Sequence, residues 1–207
     1  YGVFSASSSD VKGITTMTRK IAVLVGSLRK DSFSRKIARN IEAAAPKGYT
    51  FEEIDIGKVG FYNQDLDGKE PAEWLDLRAK IKSADAVLFV TPEYNRSVPG
   101  VLKNAIDILS RPYGHSAFNG KPAAVVSNSP GNIGGFGAHH HLRQTLAFLN
   151  MPTLQQPEIY LSGVGDWFDD AGNVKKEDTR KFLGQFAQTF ADWIEQTAPK
   201  TKASEAA

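Results

Sequence analysis

The chain has 207 residues, 41% hydrophobic and 23% charged, which is ordinary for a soluble globular protein and enough for one good core. A formal net charge of +2, with no basic block interleaved with aromatics, argues against nucleic acid or a membrane surface as a partner. The chain contains no Cys, which excludes disulfides, thiol catalysis and Cys-ligated metals and suits a reducing cytoplasm.

Tyr1 to Thr16 is rich in Ser, Thr and Gly, shows no strand or helix period and has no signal-peptide apolar region. Residues 1–16 therefore read as a leader or flexible tail, with Met17 as the natural start and one domain over 17–198. Residues 199–207 read as a frayed C-terminal tail. No apolar run approaches the length of a membrane span.

The first element is the apolar, β-branched run Ile21-Ala22-Val23-Leu24-Val25, a strand buried on both faces. At Gly26 the character turns small, hydroxylic and basic, and a helix then begins, with Ile37, Ala38, Ile41 and Ala45 at helical spacing. A second strand alternates over Thr50–Ile56, burying Phe51, Ile54 and Ile56. A helix opens at Glu70-Pro71-Ala72-Glu73, with Pro in its first turn and acids near its positive end, and runs to about Ser83. The third strand is Asp85–Val90, and Val101, Leu102, Ala105, Ile106 and Leu109 form one face of the helix after it. Ala123–Val126 is a fourth strand, Phe136–Asn150 a helix and Glu158–Leu161 a fifth strand. Past the loop Ser162–Asn173, a last helix turns Phe182, Leu183, Phe186, Phe190, Trp193 and Ile194 inward.

Five strands alternating with five helices imply an α/β fold, a parallel sheet covered on both faces and joined by right-handed crossovers. The common five-strand arrangement is the flavodoxin-like three-layer sandwich, strand order 2-1-3-4-5, with ligands beyond the carboxyl ends of the strands at the switch point. The turns after strands one, three and four should meet there.

The first turn, Gly26-Ser27-Leu28-Arg29-Lys30-Asp31-Ser32-Phe33-Ser34, offers backbone N–H groups, a helix N-terminus, three hydroxyls and the forked cation of Arg29. It lacks the glycine patterns of dinucleotide and NTPase loops, so a terminal monophosphate fits it better than a pyrophosphate. The second turn, Pro92-Glu93-Tyr94-Asn95, supplies an aromatic face for a planar ring and backbone groups to read its edge. The third, Ser127 to Gly135, has glycines enough for a ligand to lie against bare backbone. Taken singly, the three also read as a helix cap, a strand-ending turn and a flexible loop. Together they describe a site for a flavin mononucleotide, FMN.

These stretches resemble the NADPH-dependent FMN reductase family, and its branch of bacterial quinone reductases studied also as chromate reductases. The first turn is similar to the family's phosphate loop. Thr91-Pro92-Glu93-Tyr94-Asn95-x-Ser97-Val98-Pro99-Gly100-x-Leu102-Lys103-Asn104-Ala105-Ile106-Asp107 resembles its second signature. Ser127-x-Ser129 with Gly134-Gly135 and Leu142-Arg143 resembles its third. The resemblance covers roughly Met17 to Thr197. It implies bound FMN, reduction by NADPH or NADH, and ping-pong transfer to quinones and less discriminately to oxidants such as chromate. It places Ser27, Arg29, Ser32, Phe33 and Ser34 at the phosphate, Pro92, Glu93, Tyr94, Asn95 and Arg96 beside the ring, and Ser127 and Ser129 on the third loop. Tyr94 and Arg96 fall where substrate enters. Ser34 stands where the family commonly has Asn, and Arg96 where it is variable and often aromatic. The flavin carries the chemistry, so no side chain is named as catalytic. Homodimers or homotetramers are implied as well. The rival reading is a flavodoxin-type electron carrier or a flavin-binding regulatory protein; carriers are usually acidic, against a pI here of about 8.7.

His139-His140-His141 does not read as a metal site, since consecutive helical residues point about 100° apart and cannot converge on one ion. The expectation is a helix surface or a subunit contact. Trp74 and Trp193 read as core, and Trp167-Phe168 as a partner surface or a lid.

Overall fold

The computed structural model describes residues 18–198; Tyr1–Thr16 with Met17, and the tail 199–207, lie outside the described residues. Strands β1 (Arg19–Val25), β2 (Tyr49–Glu53), β3 (Ala86–Pro92), β4 (Ala123–Asn128) and β5 (Ile159–Leu161) alternate with α1 (Phe33–Ala43), α2 (Ala72–Ser83), α3 (Gly100–Leu109), α4 (Phe136–Phe148) and α5 (Glu177–Thr197). All four strand pairings are parallel, in the order β2-β1-β3-β4-β5. This is the flavodoxin-like arrangement expected from the alternation.

Side chains of successive strand residues face opposite ways, and that alternation sorts the core into two layers. From β1, Ala22 and Leu24 join Trp74, Leu77 and Ile81 of α2, Leu102 and Ile106 of α3, and Leu142 and Leu146 of α4. Ile21, Val23 and Val25 face the other way, onto Ile37 and Ile41 of α1 and Leu183, Phe186 and Phe190 of α5. The central strands are sealed on both sides, so each large side chain there contributes roughly 1.5–3 kcal/mol of burial. Leu24→Ala would cost about 2–5 kcal/mol through the cavity it leaves.

Several boundaries differ from the sequence reading. Helix α1 stops at Ala43, leaving Ala45 beyond its end. Strand β2 ends at Glu53, although Ile54 and Ile56 stay buried in the connection that follows. Helix α4 ends at Phe148, and Asn150 beyond it turns left-handed at φ 55°. Phe182 is not turned inward: it is 39% exposed, because the 3.6-residue period puts Leu183, Phe186 and Phe190 over the sheet and rotates Phe182 off that stripe. Trp74 is buried, and Trp193 is half-buried with its indole N–H donating to the Pro152 carbonyl.

Candidate functional site

The loops after β1, β3 and β4 share one end of the sheet because those three strands are neighbours. One side chain ties them together. Asn128, buried at the end of β4, donates through Nδ2 to Ser34 Oγ at 2.8 Å and to the Thr91 carbonyl at 3.1 Å. Its amide thus binds the start of α1 to the end of β3. An amide in so closed a place is held only if its donors are satisfied, which fixes the spacing of all three loops.

The first loop is built as an anion cradle. Ser32 caps α1, its Oγ accepting from the Arg35 N–H, and Ser27 Oγ accepts from the Arg29 N–H. Arg35 braces the loop from within: its guanidinium donates to the carbonyls of Arg29 and Ser27 and pairs with Glu53 at 2.6 Å. With two of its carbonyls engaged by Arg35, the loop keeps N–H groups without acceptors. Those of Leu28, Lys30, Asp31, Ser32, Phe33 and Ser34 donate to no protein acceptor among the described residues. Arg29 stands exposed beside them and enters no ion pair among the described residues. Asp31 is engaged by Lys36, whose ammonium holds the carboxyl below the usual carboxylate range. Free N–H donors at a helix N-terminus, beside an unpaired guanidinium, suit a phosphate.

The second loop turns back on itself. Tyr94 and Ser97 exchange two backbone hydrogen bonds of 3.0 Å, and Asn95 and Arg96 between them lie at φ 50° and 65°, as in a tight I′-type hairpin. Glu93 locks this hairpin to the third loop. Its Oε2 accepts from the Ala138 N–H in the first turn of α4 at 3.1 Å, and Oε1 lies 3.6 Å from the Arg96 guanidinium. Ser97 Oγ adds a 2.9 Å bond to His141 Nδ1. Tyr94, Asn95 and Arg96 are exposed at the tip.

On the third loop Ser129 Oγ accepts from the Gly131 N–H, and its backbone is stitched to Leu161 and Val164. Gly131 stays open, its added Cβ meeting only Ser129 Oγ at 3.4 Å, whereas other glycines here and at the start of α4 lie tight against protein. A Cβ on Gly134, at φ +65°, would sit 2.7 Å from the Tyr160 carbonyl carbon; one on Gly137 would sit 2.6 Å from the Arg96 carbonyl oxygen.

The structure thus brings Ser27, Arg29, Ser32, Phe33, Pro92, Glu93, Tyr94, Asn95, Arg96 and Ser129 to one end of the sheet, but turns two predicted hydroxyls inward. Ser34 is held by Asn128, and Ser127 donates to the carbonyls of Gly134 and Ile159. Both are essentially sealed from solvent, being the side chains on which the loops close. Asn128 and Arg35 were missed. Asn128 is the residue between Ser127 and Ser129, and Arg35 gave no signal separable from the basic residues around it.

The three histidines diverge. His139 is fully buried, contrary to the expected helix surface, because α4 lays that face against the edge of β5; its ring meets Tyr160 edge-on at 4.7 Å. Neither ring nitrogen has a hydrogen-bond partner among the described residues. Burial, with Arg143 and His140 nearby, pushes its pKa down to about 4. His140 Nε2 lies 2.9 Å from the Tyr160 hydroxyl, which donates to Glu158; burial and that carboxylate push the Tyr160 pKa up to about 12. Trp167 and Phe168 do not stand free as a lid: Phe168 stacks on Phe33 of the first loop.

A flavodoxin-like sheet whose switch point carries a phosphate cradle and an exposed aromatic defines a protein that holds a nucleotide cofactor at its strand ends. Comparison with known proteins makes this specific. The family model described as NADPH-dependent FMN reductase matches residues 19–166, and the chain belongs to that family. It is 54% identical over 175 residues to a quinone reductase of Pseudomonas putida, covering 84% of this chain and 94% of that one. It is 45% identical over 178 residues to 2-hydroxy-1,4-benzoquinone reductase of a Burkholderia species, covering 86% and 97%. Among solved structures, the flavoenzyme NAD(P)H:(acceptor) oxidoreductase FerB of Paracoccus denitrificans superposes with a TM-score of 0.83 at 41% identity, covering 88% of this chain and all of that one. The chain is an oxidoreductase that works with FMN and a nicotinamide nucleotide.

Proposed function

We propose that the chain is an FMN-dependent NAD(P)H:quinone oxidoreductase that also passes electrons to other oxidants, chromate among them, in a ping-pong cycle at one flavin face. The observation that carries the reading is the cradle of free N–H groups and the unpaired Arg29, set beside the Tyr94 hairpin; the quinone reductases among its relatives support the substrate class. When bound, FMN supplies the hydride chemistry. The residues then divide the work. The N–H groups of the first loop and Arg29 hold the phosphate, with Ser27, Ser32 and Phe33 shaping the loop and Ser34 setting its distance from β4. Pro92, Glu93 and Asn95 orient the second loop along the ring edge. Ser127 and Ser129 hold the third loop in place. Backbone N–H groups of the second and third loops would supply the donors that stabilise negative charge developing at the ring edge. Tyr94 and Arg96, exposed at the hairpin tip, receive the nicotinamide nucleotide and the oxidant.

We place the enzyme in the cytoplasm, in keeping with its lack of Cys, and as a homodimer or homotetramer. No described helix is long and apolar enough to cross a membrane.

The test is an absorbance spectrum of the protein before and after anaerobic NADPH or NADH. Flavin bands that bleach within seconds and return on adding a quinone are expected; bands that persist with both nucleotides would refute the enzyme reading. Arg96→Ala should raise the KM for chromate and NADPH, and unchanged constants would remove Arg96 from the substrate site.

A further inference from the structure

The loop between β5 and α5 supplies none of the residues assigned above to the cofactor, yet it is fastened to the loop that holds the phosphate. Phe168 stacks on Phe33 with ring centroids 6.3 Å apart and planes 14° from parallel. The Arg29 guanidinium lies 5.5 Å from the centre of the same Phe33 ring. Lys36 closes the cluster, its ammonium 6.0 Å from Phe33 and 5.7 Å from Phe168 while paired with Asp31. Arg29 makes no ion pair or side-chain hydrogen bond among the described residues, so the aromatic face is what limits where its long side chain points.

Phe168 is presented from a rigid bracket. It bridges Val174 across a tight turn closed by Asp169 and Asn173. Asn40 of α1 bolts that turn down, donating to the Gly172 carbonyl at 2.9 Å and accepting from the Val174 N–H at 3.1 Å. Phe33, by contrast, opens a helix on a loop whose N–H groups are unsatisfied, and it needs a fixed neighbour to hold its ring.

We propose that Phe168 is a positioning residue for the phosphate of FMN: from a separate loop it fixes the ring of Phe33, and that ring aims Arg29 at the cradle. The assignment rests on the reading that Arg29 holds the phosphate. Through Phe168 the β5–α5 loop becomes a further support of the phosphate end of the site.

The experiment is titration of apoprotein with FMN and, separately, with riboflavin, which lacks the phosphate, following flavin fluorescence in Phe168→Ala, Phe168→Tyr, Arg29→Ala and the double variant. Phe168→Ala should weaken FMN about 5- to 10-fold and leave riboflavin unchanged, Phe168→Tyr should restore FMN binding, and Phe168→Ala should add nothing once Arg29 is Ala. Equal loss of FMN and riboflavin, additive effects in the double variant, or full FMN affinity in Phe168→Ala would overturn the proposal. If Arg29→Ala itself leaves FMN affinity intact, the phosphate role of Arg29 fails and the proposal falls with it; if Arg29→Ala weakens FMN and Phe168→Ala does not, only the positioning role fails.

Discussion

Gly137 is where the hairpin that carries Tyr94 and Arg96 meets α4, and Gly137→Ala tests whether that contact sets the site. A Cβ there would lie 2.6 Å from the Arg96 carbonyl oxygen and 3.0 Å from Glu93 Oε2, where ordinary contact begins at 3.4 Å, so the hairpin must retreat by about 0.8 Å. Forcing a methyl into such a contact costs about 1–3 kcal/mol. Against this, Ala is favoured over Gly inside a helix by about 1 kcal/mol. The two nearly cancel at the lower end, so stability is best read against a control. Gly184 in α5 supplies one: its added Cβ would meet only the Ala44 Cβ at 3.8 Å, an ordinary distance. Gly184→Ala should raise the melting temperature by about 2–4 °C, the shift expected per kcal/mol in a domain of this size. Gly137→Ala should fall below it by the clash energy, and the displaced hairpin should weaken FMN several-fold while Gly184→Ala leaves affinity unchanged. Thermal unfolding by circular dichroism and FMN titration give both readouts. A Gly137→Ala protein that gains as much as Gly184→Ala and binds FMN normally would refute the idea that this close approach sets the hairpin.

Three further outcomes follow from the same geometry. His139 stays unprotonated until about pH 4 in the folded protein, whereas in the unfolded chain it binds a proton below about 6.5, so the unfolded state takes up more protons between these values. Its contribution to stability should be intact above pH 6.5 and decline by about 3 kcal/mol as the pH falls to 4; urea unfolding across that range should show His139→Phe with a flatter profile, and parallel profiles would count against the buried imidazole. Asn128→Ala removes both side-chain bonds that join the loops and leaves the buried Ser34 hydroxyl without its donor, so it should cost about 2–4 kcal/mol and weaken FMN; denaturant midpoints unchanged from the parent would show that the loops hold together without it. Arg96→Gly should raise stability by about 1 kcal/mol in thermal unfolding, because Arg96 sits at φ 65° where only a residue without Cβ is unstrained, and its exposed pair with Glu93 contributes little.

The architecture was legible in the sequence, and so were the strand ends as the candidate site. Unbroken apolar runs such as Ile21–Val25 and Ala86–Val90 read as strands buried on both faces of a parallel sheet, and parallel strands need the intervening helices that the 3.6-residue pattern announces. The abrupt polar turns after β1, β3 and β4 then have nowhere to go but the strand ends. Tertiary structure decided the rest. His139, His140 and His141 are chemically identical in the sequence, yet only the docking of α4 on β5 seals the first and leaves the second to Tyr160. Whether Ser34 faces a ligand or the protein depends on Asn128, 94 residues on, and whether Ser127 does depends on Ile159, 32 residues on; the stack of Phe168 on Phe33 spans loops more than half the chain apart. A local pattern reports what one segment prefers, because propensity and periodicity arise from neighbours in sequence. Which groups a side chain meets across loops is set by the packing of distant segments, and at this site that packing decides where the donors point.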